Sequence, residues 1–223
     1  MVDGPAEKLS HLPEPPPPCP FRLRRQAASE WCRVHNFDPA TGRFQPDAFN
    51  DITNGNARFS PLIDPDTNKV IPTIYAAETE AGAISEVILH DIPTPSTGYL
   101  HDWDRDKAGK QHLSKIHLPD LQLVDLQQGL QAAGLEQWEL FGTNKPDYPH
   151  TRKWALYIWK TMPDAAGLIW MSKRANEGAV LMLFGDRVAS GAITVTMRPV
   201  PIAQYEATVL AILDRLGCGL AFS

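Results

Sequence analysis

With 223 residues, 43% of them hydrophobic, the chain can bury a sizeable core in one domain and needs no disulfide or structural metal to hold it. Its 21 Lys and Arg against 26 Asp and Glu give a net charge of −5, and no basic run is long enough to neutralise a series of phosphates, which argues against nucleic acid as a ligand. Cys19, Cys32 and Cys218 form no C-x-x-C pair, no basic stretch leads into an apolar one at the start, and no eighteen apolar residues follow one another, so a zinc knuckle, export and a membrane span are disfavoured and a cytoplasmic protein is expected.

Residues 1–20 carry HLPEPPPPCP, whose prolines lack amide donors and hold a polyproline II course. A flexible arm is expected there, with an SH3-type ligand as the other reading. Residues 21–55 mix Arg22, Arg24 and Arg25 with Trp31, Phe37, Phe44 and Phe49, enough apolar weight for a short helix and turns packed as an extension on a core domain spanning 56–223. After the loop NDITNGN, a strand is predicted over Lys69–Ala77, with Pro72 near its start marking it as an edge or an entry residue. A helix follows, and then residues 91–109, a Pro- and Gly-bearing loop too long for a simple connection and a candidate lid or binding surface. Ser114–Leu118 and Leu121–Leu126 read as two short strands broken by Pro119. Thr151 suits the N-cap of a helix in which Trp154, Ala155, Ile158, Trp159 and Met162 recur at helical spacing, ended by Pro163. GLIWMS, GAVLMLFGD and GAITVTMRP are three apolar runs of strand length that are expected to be core strands, and Ala203–Leu216 is an amphipathic helix that Gly217 is placed to stop. Strand and helix do not alternate regularly, which favours an α+β fold over a doubly wound sheet.

The most informative stretch is YAAETEAGAISE, residues 75–86, where a strand end runs into a helix bearing one well-placed carboxylate. At 100° per residue, Ala77, Ala81, Ile84 and Ile88 fall within about 60° of one another and form an apolar stripe, while Glu86 points the other way with Gly82 and His90 as its small or polar neighbours. A ligand has room above that carboxylate; a solvated helix face is the bland alternative. The chain has no G-x-G-x-x-G, no G-x-x-x-x-G-K-S/T and no G-x-S-x-G, so the standard nucleotide and serine-hydrolase fingerprints are missing. His90-Asp91, His101-Asp102, His112 and His117 suggest a metal phosphohydrolase, but the two His-Asp pairs lie on a Pro- and Gly-rich loop and the histidines have no i, i+4 spacing, so no metal is expected.

Together with Arg58 in ARFSP, Tyr75, Glu86 and Ser172 in GLIWMSKRANEGAVLMLFGDR, the chain resembles the RES-domain family, toxins of RES–Xre toxin–antitoxin pairs. The resemblance covers roughly residues 56–187, and the segment DPDTNKVIP makes the stretch from Arg58 to Tyr75 longer than in compact members. It implies a core similar to ADP-ribosyltransferases, with mixed and antiparallel strands flanked by helices, NAD as substrate and an Xre-type antitoxin as partner. The chemistry of the residues agrees. Breaking the nicotinamide–ribose bond generates an oxocarbenium-like sugar that a nearby carboxylate stabilises, and Glu86 is the candidate. Nicotinamide leaves as a neutral base from a pyridinium and needs no proton, so one carboxylate is sufficient, whereas ordinary glycosides require two. On a continuous helix Glu78 and Glu80 would sit about 80° and 120° round the axis from Glu86, Glu78 about 12 Å below it, which excludes Glu78 as an acid partner.

Arg58 would grip the pyrophosphate with its planar fork, Tyr75 would offer a ring for nicotinamide or ribose to stack on, and Ser172 would hydrogen-bond the ribose or orient Glu86. Lys173 and Arg174 could assist with phosphate, though adjacent strand residues cannot both face one pocket. The expected activity is that of an NAD glycohydrolase or phosphorylase acting as a toxin. The alternatives are mono-ADP-ribosylation of a protein target by the same site and a non-catalytic binding module. An antitoxin would most simply cover the pocket, docking on residues 91–109 or on a strand edge near Pro72.

Overall fold

The computed structural model describes residues 12–15, 17–90, 92, 98–103, 105–141, 145–172, 175 and 178–222. Twelve strands are found among them: β1 Arg22–Gln26, β2 Ser29–Asn36, β3 Leu62–Ile63, β4 Val70–Ile71, β5 Thr73–Ala77, β6 Leu100–Trp103, β7 Gln111–Leu118, β8 Leu121–Asp125, β9 Gly167–Met171, β10 Ala179–Phe184, β11 Thr194–Pro201 and β12 Gly219–Phe222. The helices are α1 Glu80–Val87, α2 Arg105–Lys110, α3 Gln137–Phe141, α4 Tyr148–Thr161 and α5 Glu206–Arg215. Eight of these strands form one sheet in the order β1-β8-β9-β10-β5-β2-β7-β11, antiparallel throughout except for the parallel pair β8–β9. The fold is α+β, as the irregular order of elements implies.

Strands β9 and β10 are apolar at every position, because both faces of the sheet are covered. Val180, Met182, Phe184, Leu168 and Trp170 point to one face, where Ile84 of α1, Trp154 and Ile158 of α4 and Val209 and Leu213 of α5 pack on them. Leu181, Leu183 and Ile169 point to the other and meet Trp31, Ile116, Leu118 and Leu123. Among the described residues no helix contributes to that second cluster; the sheet encloses it by curling. Only two residues join β1 to β2, and two join β7 to β8, so the ladder ending at Gln26↔Leu121 resumes at Ser29↔Leu118 around one corner. Asp120 secures the corner, accepting from the Ala28 amide at 3.0 Å and from Arg25 at 2.9 Å.

Several expectations need correction. Residues 22–36 form two strands of the central sheet instead of a helix and turns, because SEWCRVHN sends Trp31 to one buried face and Cys32 and Val34 to the other, and partner strands satisfy its backbone. The described part of the proline-rich arm is docked. The Trp154 indole donates to the Pro13 carbonyl at 2.9 Å, Lys153 reaches Glu14 at 2.6 Å, and the ring of Phe21 meets Trp154 edge-on at 5.9 Å. Proline has no donor, but its carbonyl still accepts. Pro72 divides the predicted strand into β4 and β5: β5 lies inside the sheet between β10 and β2, whereas β4 pairs only with β3 in a separate two-stranded sheet. The fourth helix starts at Tyr148 with Pro149 in its first turn, which leaves Thr151 inside it rather than at its cap. Residues 98–103 and 105–110 include β6, paired in parallel with β12, and α2, while 91, 93–97 and 104 lie outside the described residues. Ala77 ends β5 instead of belonging to the following helix.

Candidate active site

Helix α1 starts where Thr79 caps it, its hydroxyl oxygen accepting from the Gly82 amide at 2.9 Å. Gly82, Ala83, Ile84 and Ser85 are all buried, so the helix is embedded over most of its girth and its position is fixed. Truncating Ile84 to alanine would cost about 2–5 kcal/mol by the usual cavity penalty. Glu86, one turn beyond Gly82, is half-buried, and its Oε1 accepts from the Ser172 hydroxyl at 2.8 Å. Ser172 is fully buried at the end of β9. Its Oγ also accepts from the Ala175 amide at 3.2 Å. A hydroxyl has one proton, and with an amide donating into it that proton is directed at the carboxylate. Ser172 thereby donates to Glu86 while accepting from the backbone. No described cation forms an ion pair with Glu86.

The far end of the Ser172 turn is tied to the entry of α1. Glu78 accepts from the Ala179 amide at 2.9 Å through its carboxylate, and its own amide donates to the Ala179 carbonyl at 2.8 Å. Gly178, at φ +77°, accepts from the Ser172 amide at 3.3 Å; a Cβ added there would lie 3.2 Å from the Thr79 methyl. The Glu78 carboxylate thus ties the entry of α1 to the start of β10.

Arg58 sits in the turn closed by the Ala57 amide on the Ser60 carbonyl at 3.0 Å. Its guanidinium lies over the ring of Tyr148, 5.6 Å from the centroid, and Nη1 is 3.4 Å from the Leu140 carbonyl. The Thr151 hydroxyl donates to the Arg58 carbonyl and lies 3.0 Å from that of Tyr148. The Tyr75 hydroxyl oxygen accepts from the Phe59 amide at 3.1 Å. Burial pushes the Tyr75 phenol up to about 12, against the pull of hydrogen bonds from Ser60 and Phe59 and the charge of Arg58, so it stays protonated at physiological pH and is no general base. The rings of Phe59 and Tyr75 both stand edge-on to Trp170, at 5.1 and 6.4 Å. Trp170 is two residues before Ser172 on β9. A continuous packed path therefore runs from the Arg58 turn through Trp170 to Ser172 and Glu86.

Of the four sequence-derived residues, Ser172 and Glu86 are in direct contact, while Tyr75 reaches the Arg58 turn through the Phe59 amide and stands edge-on to Trp170. Sequence reasoning missed Tyr148, Thr151 and the anchoring role of Glu78; the first two lie within the helix whose start was misplaced, and nothing local marks them as partners of Arg58. Lys173 and Arg174 lie outside the described residues. Among the described residues, no group of three or more His, Cys, Asp or Glu is placed to hold a metal ion; His90 is bonded to the Val87 carbonyl at 2.9 Å and His112 to that of Lys110 at 3.2 Å.

The family model of the RES domain matches residues 22–204, which takes in all four site residues and eleven of the twelve strands. The chain belongs to the RES-domain family. The match begins at β1, so the RES domain includes the two strands that had been assigned to an extension outside it. Among solved structures, the M. tuberculosis MbcT–MbcA toxin–antitoxin complex contains a chain that this RES-domain protein resembles at a TM-score of 0.59 and 16% identity, over 83% of this chain and 91% of the other. At that identity the likeness establishes the fold. Comparison with curated proteins gives no match.

Proposed function

We propose that this RES-domain protein cleaves the nicotinamide–ribose bond of NAD, with Glu86 as the stabilising carboxylate, and acts as the toxin of a toxin–antitoxin pair. The observation that carries the reading is the hydrogen bond from Ser172 to Glu86: the hydroxyl proton points at Oε1, which fixes the orientation of the carboxylate. Among the described residues nothing donates to Oε2, which is left for the ribose 2′-hydroxyl. As the bond to nicotinamide lengthens, positive charge spreads over the ring oxygen and anomeric carbon, and the fixed anion stabilises that state more than the ground state. The leaving group needs no acid, in agreement with Glu78 being occupied by Ala179. Arg58 would hold the pyrophosphate.

The fold shared with a chain of the MbcT–MbcA complex supports an antitoxin as partner, and the family resemblance suggests one of the Xre type. Among the described residues no helix is long and apolar enough to cross a membrane, which is compatible with the cytoplasmic site of action proposed here. Incubating the purified protein with NAD and identifying the products by mass tests the reaction. Free ADP-ribose or its phosphate is expected, and a Glu86→Gln protein should be slower by at least about 10²-fold. ADP-ribose found attached to a protein would identify the transferase instead, and undiminished turnover by the Glu86→Gln protein would refute the role of this carboxylate.

A further inference from the structure

The peptide unit joining Arg58 to Phe59 is held at both of its polar ends by side chains from other elements. Its carbonyl oxygen receives the Thr151 hydroxyl of α4, and its N–H is taken by the Tyr75 phenol oxygen of β5 at 3.1 Å. In a trans peptide these two groups point in opposite directions, so a grip on each fixes the plane of the unit and with it the direction in which the Arg58 side chain leaves the backbone. Further out, the guanidinium lies over the Tyr148 ring, 5.6 Å from its centroid, and touches the Leu140 carbonyl through Nη1 alone, at 3.4 Å. Both α4 residues are buried, Thr151 completely and Tyr148 at 4% exposure, so neither can drift from this position.

We propose that Thr151 and Tyr148 are positioning residues that seat Arg58 for the dinucleotide, which deepens the functional reading above and rests on its assignment of Arg58 to the pyrophosphate. The chemistry of the seat decides the point. A carboxylate would hold the guanidinium firmly but compete with phosphate for its donors and cancel its charge, and no described carboxylate pairs with Arg58. An aromatic face and a carbonyl hold a cation without neutralising it. Among the described residues the seat uses one of the five N–H donors, which leaves the Nε and Nη2 edge free for two parallel bonds to phosphate oxygens. The rotamer freedom of a long side chain is surrendered before the ligand arrives, so it is not charged against binding.

The interaction with pyrophosphate is the same in ground and transition states, so its loss appears in KM and not in kcat. Thr151→Val, which keeps the shape and removes the donor, and Tyr148→Leu, which removes the ring, should each raise KM for NAD by roughly three- to tenfold and leave kcat within about twofold. Thr151→Ser and Tyr148→Phe retain the donor and the ring and should behave as the parent. Calorimetric dissociation constants for ADP-ribose should rise by similar ratios in the same proteins, whether or not NAD is turned over. In an Arg58→Ala background, Tyr148→Leu should have no further effect. Thermal melting of each variant separates loss of the fold from loss of the seat. If Arg58→Ala weakens binding while the Thr151→Val and Tyr148→Leu proteins bind normally, or if Tyr148→Leu weakens binding equally with Arg58 absent, the inference is overturned and the pyrophosphate role survives. If Arg58→Ala itself leaves both KM and ADP-ribose affinity unchanged, the pyrophosphate assignment fails and the inference goes with it.

Discussion

A serine hydroxyl that donates to a carboxylate and accepts from an amide has no proton left for substrate, and this separates two roles that the sequence leaves open for Ser172. A binding role would raise KM on truncation; an orienting role lowers kcat. Ser172→Ala is expected to reduce kcat by roughly 10- to 10²-fold, the usual worth of a hydrogen bond to a charged group, with KM for NAD nearly unchanged. Steady-state kinetics of that one protein checks it, and a rise in KM alone would return Ser172 to the ribose. At this scale the legible residues were those whose chemistry is distinctive in order along the chain: an arginine, a tyrosine at a strand end, a lone glutamate on a helix and a serine closing an apolar strand. What stayed illegible was pairing at a distance. Thr151 meets Arg58 across 93 positions, and Glu78 meets Ala179 across 101, with no local pattern to announce either.

The apolar runs that became β9, β10 and β11 were readable as strands because length and flanking turns identify them, but only β9 and β10 are core strands: β11 ends the sheet and has no buried position. β1 and β2 were not, since five exposed or half-exposed residues in RLRRQ carry no hydrophobic period and only a partner strand makes them a strand. The turn between β9 and β10 illustrates how one element serves the site. Gly178 and Gly191 share the left-handed backbone, at φ +77° and +74°, but a side chain at 178 would press on Thr79 and Glu78 whereas one at 191 would meet open space. Alanine at either position should cost about 1 kcal/mol in stability. Only Gly178→Ala should also slow NAD cleavage, because the push is transmitted to the Ser172 turn; equal activity in the two variants, measured beside their melting temperatures, would dissociate the turn from catalysis.

Taken whole, the molecule is a sheet curled round its second apolar cluster, with polar groups at one end of the enclosed face. There the His35 Nε2 lies 2.8 Å from the Ser114 hydroxyl, and Nδ1 lies 2.7 and 3.0 Å from the carbonyls of Asn36 and Phe44. Two carbonyls at Nδ1 require the proton to be there, so Nε2 accepts from Ser114. Burial, seconded by the charge of Arg33, pushes His35 down to about 4 from an ordinary 6.5, although the carbonyl bonds pull the other way. The imidazole is therefore neutral in the folded protein at pH values where it would already be charged in the unfolded chain. Its contribution is complete above pH 6.5 and is lost progressively as pH falls from there to about 4. The total is roughly 3 kcal/mol. Denaturant unfolding at a series of pH values should show this slope in the parent protein and a flatter one in His35→Gln; parallel slopes would place the acid sensitivity elsewhere.

The corner at Asp120 has a consequence for how the protein comes into being. Arg25 and its carboxylate partner are 95 positions apart; β1 pairs with β8, and β2 with β5 and β7, so each has a neighbour that is synthesised only after the Glu86 helix has been made. Ser172 and the central β10 emerge later still. Until β8 emerges a growing chain on the ribosome has β1 without a partner, and until Ser172 emerges it has Glu86 without the hydroxyl that donates to it. A copy ended before β9 would be an open-edged fragment for proteases, without the hydroxyl that meets Glu86, so the two halves of that contact come together only after Ser172 has been made.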